Sequence, residues 1–117
     1  MLKVMVDGNN VLQALGIMRP EQAEAFLIRL ELAAAHRDWE VTVVFDGPER
    51  FLPRETGLLV VRYAKGSQAD TLIERMAYQA ADRKQVVVVT QDHAEADLVR
   101  GLGASVWTAS RLQEELG

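Results

Sequence analysis

Residues Val86–Val89 are four valines in succession. β-Branched side chains disfavour helix and suit a pleated strand. A strand with no polar residue on either face must be covered on both, as in a parallel sheet held between two layers of helices. Leu2–Val6, Val41–Phe45 and Leu59–Tyr63 are nearly as apolar, and Ser105–Trp107 is a shorter β-prone run.

Between these runs the hydrophobic spacing becomes helical. Glu21–His36 places Ala23, Phe26, Leu27, Leu30 and Ala34 on one stripe, with Pro20 suited to the first position. Gln68–Asp82 does the same with Ala69, Leu72, Ile73, Met76 and Ala80. Asp92–Gly101 carries Leu98 and Val99, and Ser110–Leu116 opens with Ser110 and Gln113 spaced as a capping box. The order β-α-β-β-α-β-α-β-α predicts a three-layer α/β/α fold around a mostly parallel sheet of about five strands. Residues 46–58 contain Pro48, Pro53 and Gly57 and read as a surface loop.

At 117 residues and 49% apolar content, the chain suits one domain over residues 1–117. The absence of cysteine excludes disulfides, cysteine zinc sites and thiol nucleophiles. The apolar runs are strand-sized and nothing resembles a signal peptide, so a cytoplasmic protein away from membranes is expected. A net charge of -4 argues against a free-standing nucleic-acid binder. That objection weakens if several acids share one site and bound cations cancel them.

Ligands of open parallel sheets bind beyond the carboxyl ends of the strands. Asp7 follows the first predicted strand, Asp46 the second, and Asp92 the valine strand. Asp70 opens the preceding helix, with Glu74 one turn later. Converging carboxylates repel and raise one another's pKa. Such a cluster favours a hard cation, Mg²⁺ or Mn²⁺, and such ions serve phosphodiester hydrolysis. Each position also has a plain structural reading. Asp7-Gly8-Asn9-Asn10 and Asp46-Gly47-Pro48 suit tight turns. Asp70 and Asp92 each sit in a capping-box pattern, Ser67–Asp70 and Asp92–Glu95. Glu95 and Asp97 add acid near the same mouth or simply favour a helix N-terminus, and His93 reads as an exposed loop residue. Arg50, Arg54, Arg62 and Lys65 would rim the crevice and pair with phosphates, or serve solubility. Phe51 could stack on an unpaired base or anchor its loop.

In order along the chain, Val4–Val11, Val43–Gly47, Ala69–Glu74 and Val88–Asp92 followed by Gly103-Ala104 resemble the motif series of the NYN branch of PIN-like domains, in particular the YacP-like group. The resemblance implies a PIN-like fold and a metal-dependent endoribonuclease. By matching position, Asp7, Asp70 and Asp92 would be catalytic metal-binding acids. Asn10 would support the first aspartate or touch substrate, Asp46 would bind metal through water, and Glu74 is a lesser candidate. Some relatives carry another acid four residues after the position of Asp92; here that residue is Ala96, with Asp97 one step later. YacP-like proteins often extend further with a basic C-terminal part. Without it, the chain is expected to rely on a homodimer partner or the ribosome to hold its mRNA, tRNA or rRNA. A non-catalytic RNA-binding module of the same fold is the main alternative. A phosphoacceptor receiver fits less well, because it needs paired acids after the first strand and a lysine after the last.

Overall fold

The computed structural model describes residues 1–47, 57–65 and 68–117. Its five strands are β1 (Leu2–Asp7), β2 (Trp39–Asp46), β3 (Leu59–Ala64), β4 (Val86–Val89) and β5 (Ser105–Trp107). They form one sheet in the order β3-β2-β1-β4-β5, and every pairing is parallel. The helices are α1 (Gly8–Ala14), α2 (Pro20–Arg37), α3 (Ala69–Gln79), α4 (His93–Gly101) and α5 (Ala109–Leu116).

The expected three-layer architecture is present, and strand alternation shows why. Val4, Val6, Val41, Val43 and Phe45 leave one face of the sheet and pack with Phe26, Leu27 and Leu30 of α2 and Leu112 of α5. Met5, Val44, Val86 and Val88 leave the other face and meet Ile73 and Ala77 of α3 and Val99 of α4. Both faces of β4 are therefore buried, as its four valines require. Trp39, which opens β2, is also buried and meets Trp107 edge to face at 5.7 Å between ring centroids.

Three local expectations need correction. The segment after β1 is helix α1 and not a tight turn. Gly8 and two asparagines are poor helix formers. Burial of Val11, with Leu12 and Leu15 packed beside it, overrides that weakness. Helix α3 stops at Gln79, because Ala80 is extended; Arg83 then donates to the exposed Tyr78 carbonyl at 2.9 Å. Helix α5 is capped by Thr108, whose Oγ1 accepts from the Arg111 N–H, and not by Ser110.

The strand order reverses between β1 and β4: from β1 the chain goes outward to β2 and β3, then returns to β4 and β5. Val6 pairs with Val89, so Asp7 and Thr90 flank the crevice that opens at this reversal. The sheet thereby delivers the ends of β1 and β4 to one place.

Candidate active site

Asp7, Asp46, Asp70 and Asp92 line a single pocket of about 230 Å³ at the carboxyl edge of the sheet, with Asn9, Asn10, Gln13 and Gln68. Four acids from the ends of three strands and the start of one helix thus share one opening. The pocket is shaped by side chains that tie its loops together. Asn9 Oδ1 accepts from the Asp46 N–H at 2.7 Å. Asn10 Oδ1 accepts from the Gln91 N–H at 2.7 Å, and Gln91 Oε1 accepts from the Ala109 N–H at 2.7 Å. Asn10 accordingly positions the loop that carries Asp92, while Asn9 does the same for Asp46.

The capping readings resolve differently for the two helices. Helix α3 receives its cap across the sheet: Asp46 Oδ1 accepts from the Ala69 N–H at 2.7 Å. The local N-cap Gln68 makes no side-chain cap. Among the described residues, Asp70 Oδ1 accepts only from its neighbour Thr71, at 2.8 Å from the amide nitrogen. Asp92 does cap α4, accepting from the Glu95 N–H at 3.0 Å. The reciprocal half of that box is missing, because the Asp92 N–H is taken by Thr90 Oγ1 at 3.0 Å.

Glu95 is thereby released to turn inward, and it is the candidate site residue that motif reasoning undervalues. It is 1% exposed, on the buried stripe of α4 with Ala96 and Val99. Thr90 Oγ1 donates to its Oε2 at 3.4 Å, and its Oε1 has no hydrogen-bond partner. Its carboxyl adjoins that of Asp7, itself buried. Burial, then the Asp7 hydrogen bond and charge, push Glu95 up to about 9. Burial chiefly, with the charges of Asp46, Asp70 and Asp92, pushes Asp7 up to about 6, against a lowering by the Glu95 hydrogen bond. Two ionised carboxylates have no proton between them to form such a bond. One proton held between them would satisfy both, and the pair would then titrate as a unit. A cation can replace that proton. The legible signal was an acid on an apolar helical stripe, four residues before Val99.

Glu74 lies at the margin of this cluster, raised in pKa by burial and by Asp70 and Asp92. Asp97 is not brought in: its side chain is 81% exposed and stands 3.6 Å from Arg100. Helical geometry explains this, since positions 95 and 97 point in divergent directions. His93 is exposed. Arg62 lines a different groove, with Lys3, Glu40, Thr42 and Met76, on a half-covered face of the sheet. Lys65 is exposed just after β3 and is outside the pocket lining. Arg50, Arg54 and Phe51 lie outside the described residues.

The donors suit a hard cation: they are oxygens only, and one buried carboxylate oxygen lacks a partner. Among the described residues, however, no three such side chains stand close enough to hold an ion as they are. The acids surround a space instead of clasping a point. An ion that keeps several of its waters, as Mg²⁺ does, suits such a space.

Gly8 secures the approach of Asp7. A Cβ at this position would lie 2.6 Å from the Phe45 ring and 3.0 Å from the Val44 carbonyl oxygen. The ring is itself buried and stacked on Tyr63 at 5.8 Å, so it has little room to yield. Gly8→Ala should cost about 1–3 kcal/mol through overpacking. A thermal melt within about 1 °C of the parent would show that the contact is relaxed at no cost.

A parallel sheet with acids gathered at its topological reversal is the architecture of the PIN-like nucleases. Within that class the chain belongs to the YacP-like NYN domain family, whose model matches residues 4–117. The solved structure of Rae1 (YacP) from Bacillus subtilis superposes with a TM-score of 0.78 at 24% identity, covering 99% of this chain and 74% of that one. A tryptophan-to-leucine mutant of the same protein gives a TM-score of 0.76 at 23% identity, covering 97% and 73%. Comparison with curated proteins finds no match. NYN domains are a nuclease superfamily acting on RNA. Among the described residues no helix is long and apolar enough to cross a membrane.

Proposed function

We propose that this chain is a metal-dependent endoribonuclease whose site is the pocket of Asp7, Asp46, Asp70 and Asp92, floored by Glu95. The observation that carries the reading is the buried Glu95 carboxyl set against the buried carboxyl of Asp7, with no donor among the described residues reaching Glu95 Oε1. Folding two acids into contact beside three more is costly unless a cation joins them. Asp7, Asp70 and Asp92 would hold Mg²⁺ or Mn²⁺, with Glu95 beneath Asp7 and Asp46 at the outer lip. When bound, such an ion neutralises phosphate oxygens and makes an attacking water more acidic.

The remaining work belongs to the chain. Asn9 and Asn10 hold the acid-bearing loops in register. Asp46 fixes the start of α3, which sets the position of Asp70. The carboxylates repel a phosphodiester in the absence of cation, so RNA binding at the pocket should itself depend on metal. Cytoplasmic localisation and a single domain over residues 1–117 remain part of this proposal. No observation supports the ribosome or a homodimer as partner. An RNA-binding module without cleavage is the second reading, favoured by the absence of a ready three-ligand cage among the described residues.

Two measurements separate these readings. Mn²⁺ at about a hundred times its dissociation constant should stabilise the fold by about 2.7 kcal/mol. Single-stranded RNA should be cut with Mn²⁺ or Mg²⁺ and left intact with EDTA. Binding of RNA without cleavage in either ion supports the module, and no melting shift at millimolar metal removes the cation site.

A further inference from the structure

A second groove adjoins the acid pocket. It holds about 330 Å³ and shares Asn9 and Gln13 with that pocket. Its other walls are largely apolar, from Leu12, Ile17, Met18 and Pro20, and Arg19 stands at its rim. The geometry points to a subsite for one nucleotide of single-stranded RNA next to the scissile phosphate, with its base against Met18 and its phosphate toward Arg19. This inference rests on reading the acid pocket as the RNA-cleaving site.

Three observations support this occupant. First, the two spaces share Asn9 and Gln13 as walls and so lie side by side, which brings a nucleotide next to one whose phosphate enters the pocket within reach of the groove. Second, Met18 is 82% exposed, more than any other large hydrophobic side chain among the described residues. It stands there because α1 ends in a tight turn: Gly16 is left-handed at φ 70°, and the Ile17 N–H returns to the Leu12 carbonyl at 2.9 Å. An exposed thioether beside an active site is a suitable surface for a base, since sulfur packs well on aromatic rings. Third, the polar groups match a nucleotide. The Arg19 side chain is 75% exposed and only 4.0 Å from an equally solvated Glu21, a weak pairing that a phosphate can displace. The Gln13 side chain has no hydrogen-bond partner among the described residues and is exposed, so its amide can meet a base edge. The chain is acidic overall, and Arg19 is the one cation lining this groove among the described residues, which suits an anionic strand.

The test is methionine methyl NMR on the intact chain. Its four methionines are Met1, Met5, Met18 and Met76. Tetra-adenylate RNA is added with Ca²⁺ in place of the catalytic ion. The Met18 methyl signal should move upfield under the ring current of a base. The Met76 signal, in the groove with Arg62, should stay in place. Met18→Ala, at a site too exposed to disturb folding, should weaken RNA binding about two- to tenfold. It should also raise KM more than it lowers kcat. An unmoved Met18 signal while RNA is bound or cut overturns the subsite and leaves the nuclease reading intact. A Met18 shift without cleavage in Mn²⁺ removes the nuclease reading and overturns the subsite as a neighbour of a scissile phosphate, leaving an RNA-binding groove. A shift at Met76 alone, or no RNA binding at millimolar concentration, overturns the subsite.

Discussion

Asp70→Asn is expected to abolish RNA cleavage while leaving the fold unchanged. Asparagine keeps a carbonyl oxygen where Asp70 Oδ1 accepts from the Thr71 N–H, so the local turn survives. The start of α3 is secured independently, by Asp46 on the Ala69 N–H. What the substitution removes is one negative charge from the pocket, facing Asp7, Glu74 and Glu95. Cation affinity should fall, and with it kcat/KM by at least about a hundredfold, the scale of losing one electrostatic contact to a transition state. Without metal, the melting temperature should hold or rise slightly, since a repulsion has been relieved. Cleavage within threefold of the parent would remove Asp70 from the proposed site. Asp92→Asn is a less discriminating experiment, because the same carboxylate caps α4 and the variant weakens a helix as well.

The layer architecture was legible because the valines of β4 and the apolar runs of β1 and β2 demand cover on both faces. The clustering of Asp7, Asp46, Asp70 and Asp92 followed from a general rule about strand ends, and the coordinates bring those four to one pocket. Individual roles were not legible. The capping pattern at Asp92–Glu95 suggested a side chain folded back on its own helix. Whether Glu95 does so depends on who takes the Asp92 N–H, and the competitor is Thr90, which the pattern does not contain. The cap of α3 likewise comes from Asp46, more than twenty residues away in sequence. Proximity in sequence places Arg62 at the crevice. Its position along β3, two residues before the strand ends, sends it instead to the other groove. Helix α1 is not legible because propensity speaks against Gly-Asn-Asn, and the burial of Val11 that decides the matter is a tertiary fact.

Glu95→Gln should raise the stability of the metal-free protein at alkaline pH and flatten its pH dependence. The sign follows from linkage. Asp7 and Glu95 both have folded pKa values raised above their unfolded ones, to about 6 and about 9. Between about pH 4 and pH 9 the folded state therefore binds more protons than the unfolded state, and stability falls as pH rises. Their favourable contribution is fully present below the unfolded values and is lost as pH climbs through the folded ones. Glutamine has the same shape and no charge. Its oxygen can accept from Thr90 and its amide can donate to Asp7, which satisfies both ends of the buried contact. The gain at pH 8 should be about 1–4 kcal/mol, as for other buried charges replaced by neutral groups. That corresponds to roughly 4 °C in Tm per kcal/mol for a chain of this size. The same variant should lose most of the stabilisation that Mn²⁺ gives the parent, because the buried carboxyl that invites the cation has become a neutral, satisfied amide. A parent whose metal-free Tm is flat from pH 5 to pH 9 would show that the two carboxyls do not share a proton. A Glu95→Gln protein that still gains the full metal shift would place the cation among Asp7, Asp70 and Asp92 alone, with Glu95 left as a buried acid that serves the fold only at low pH.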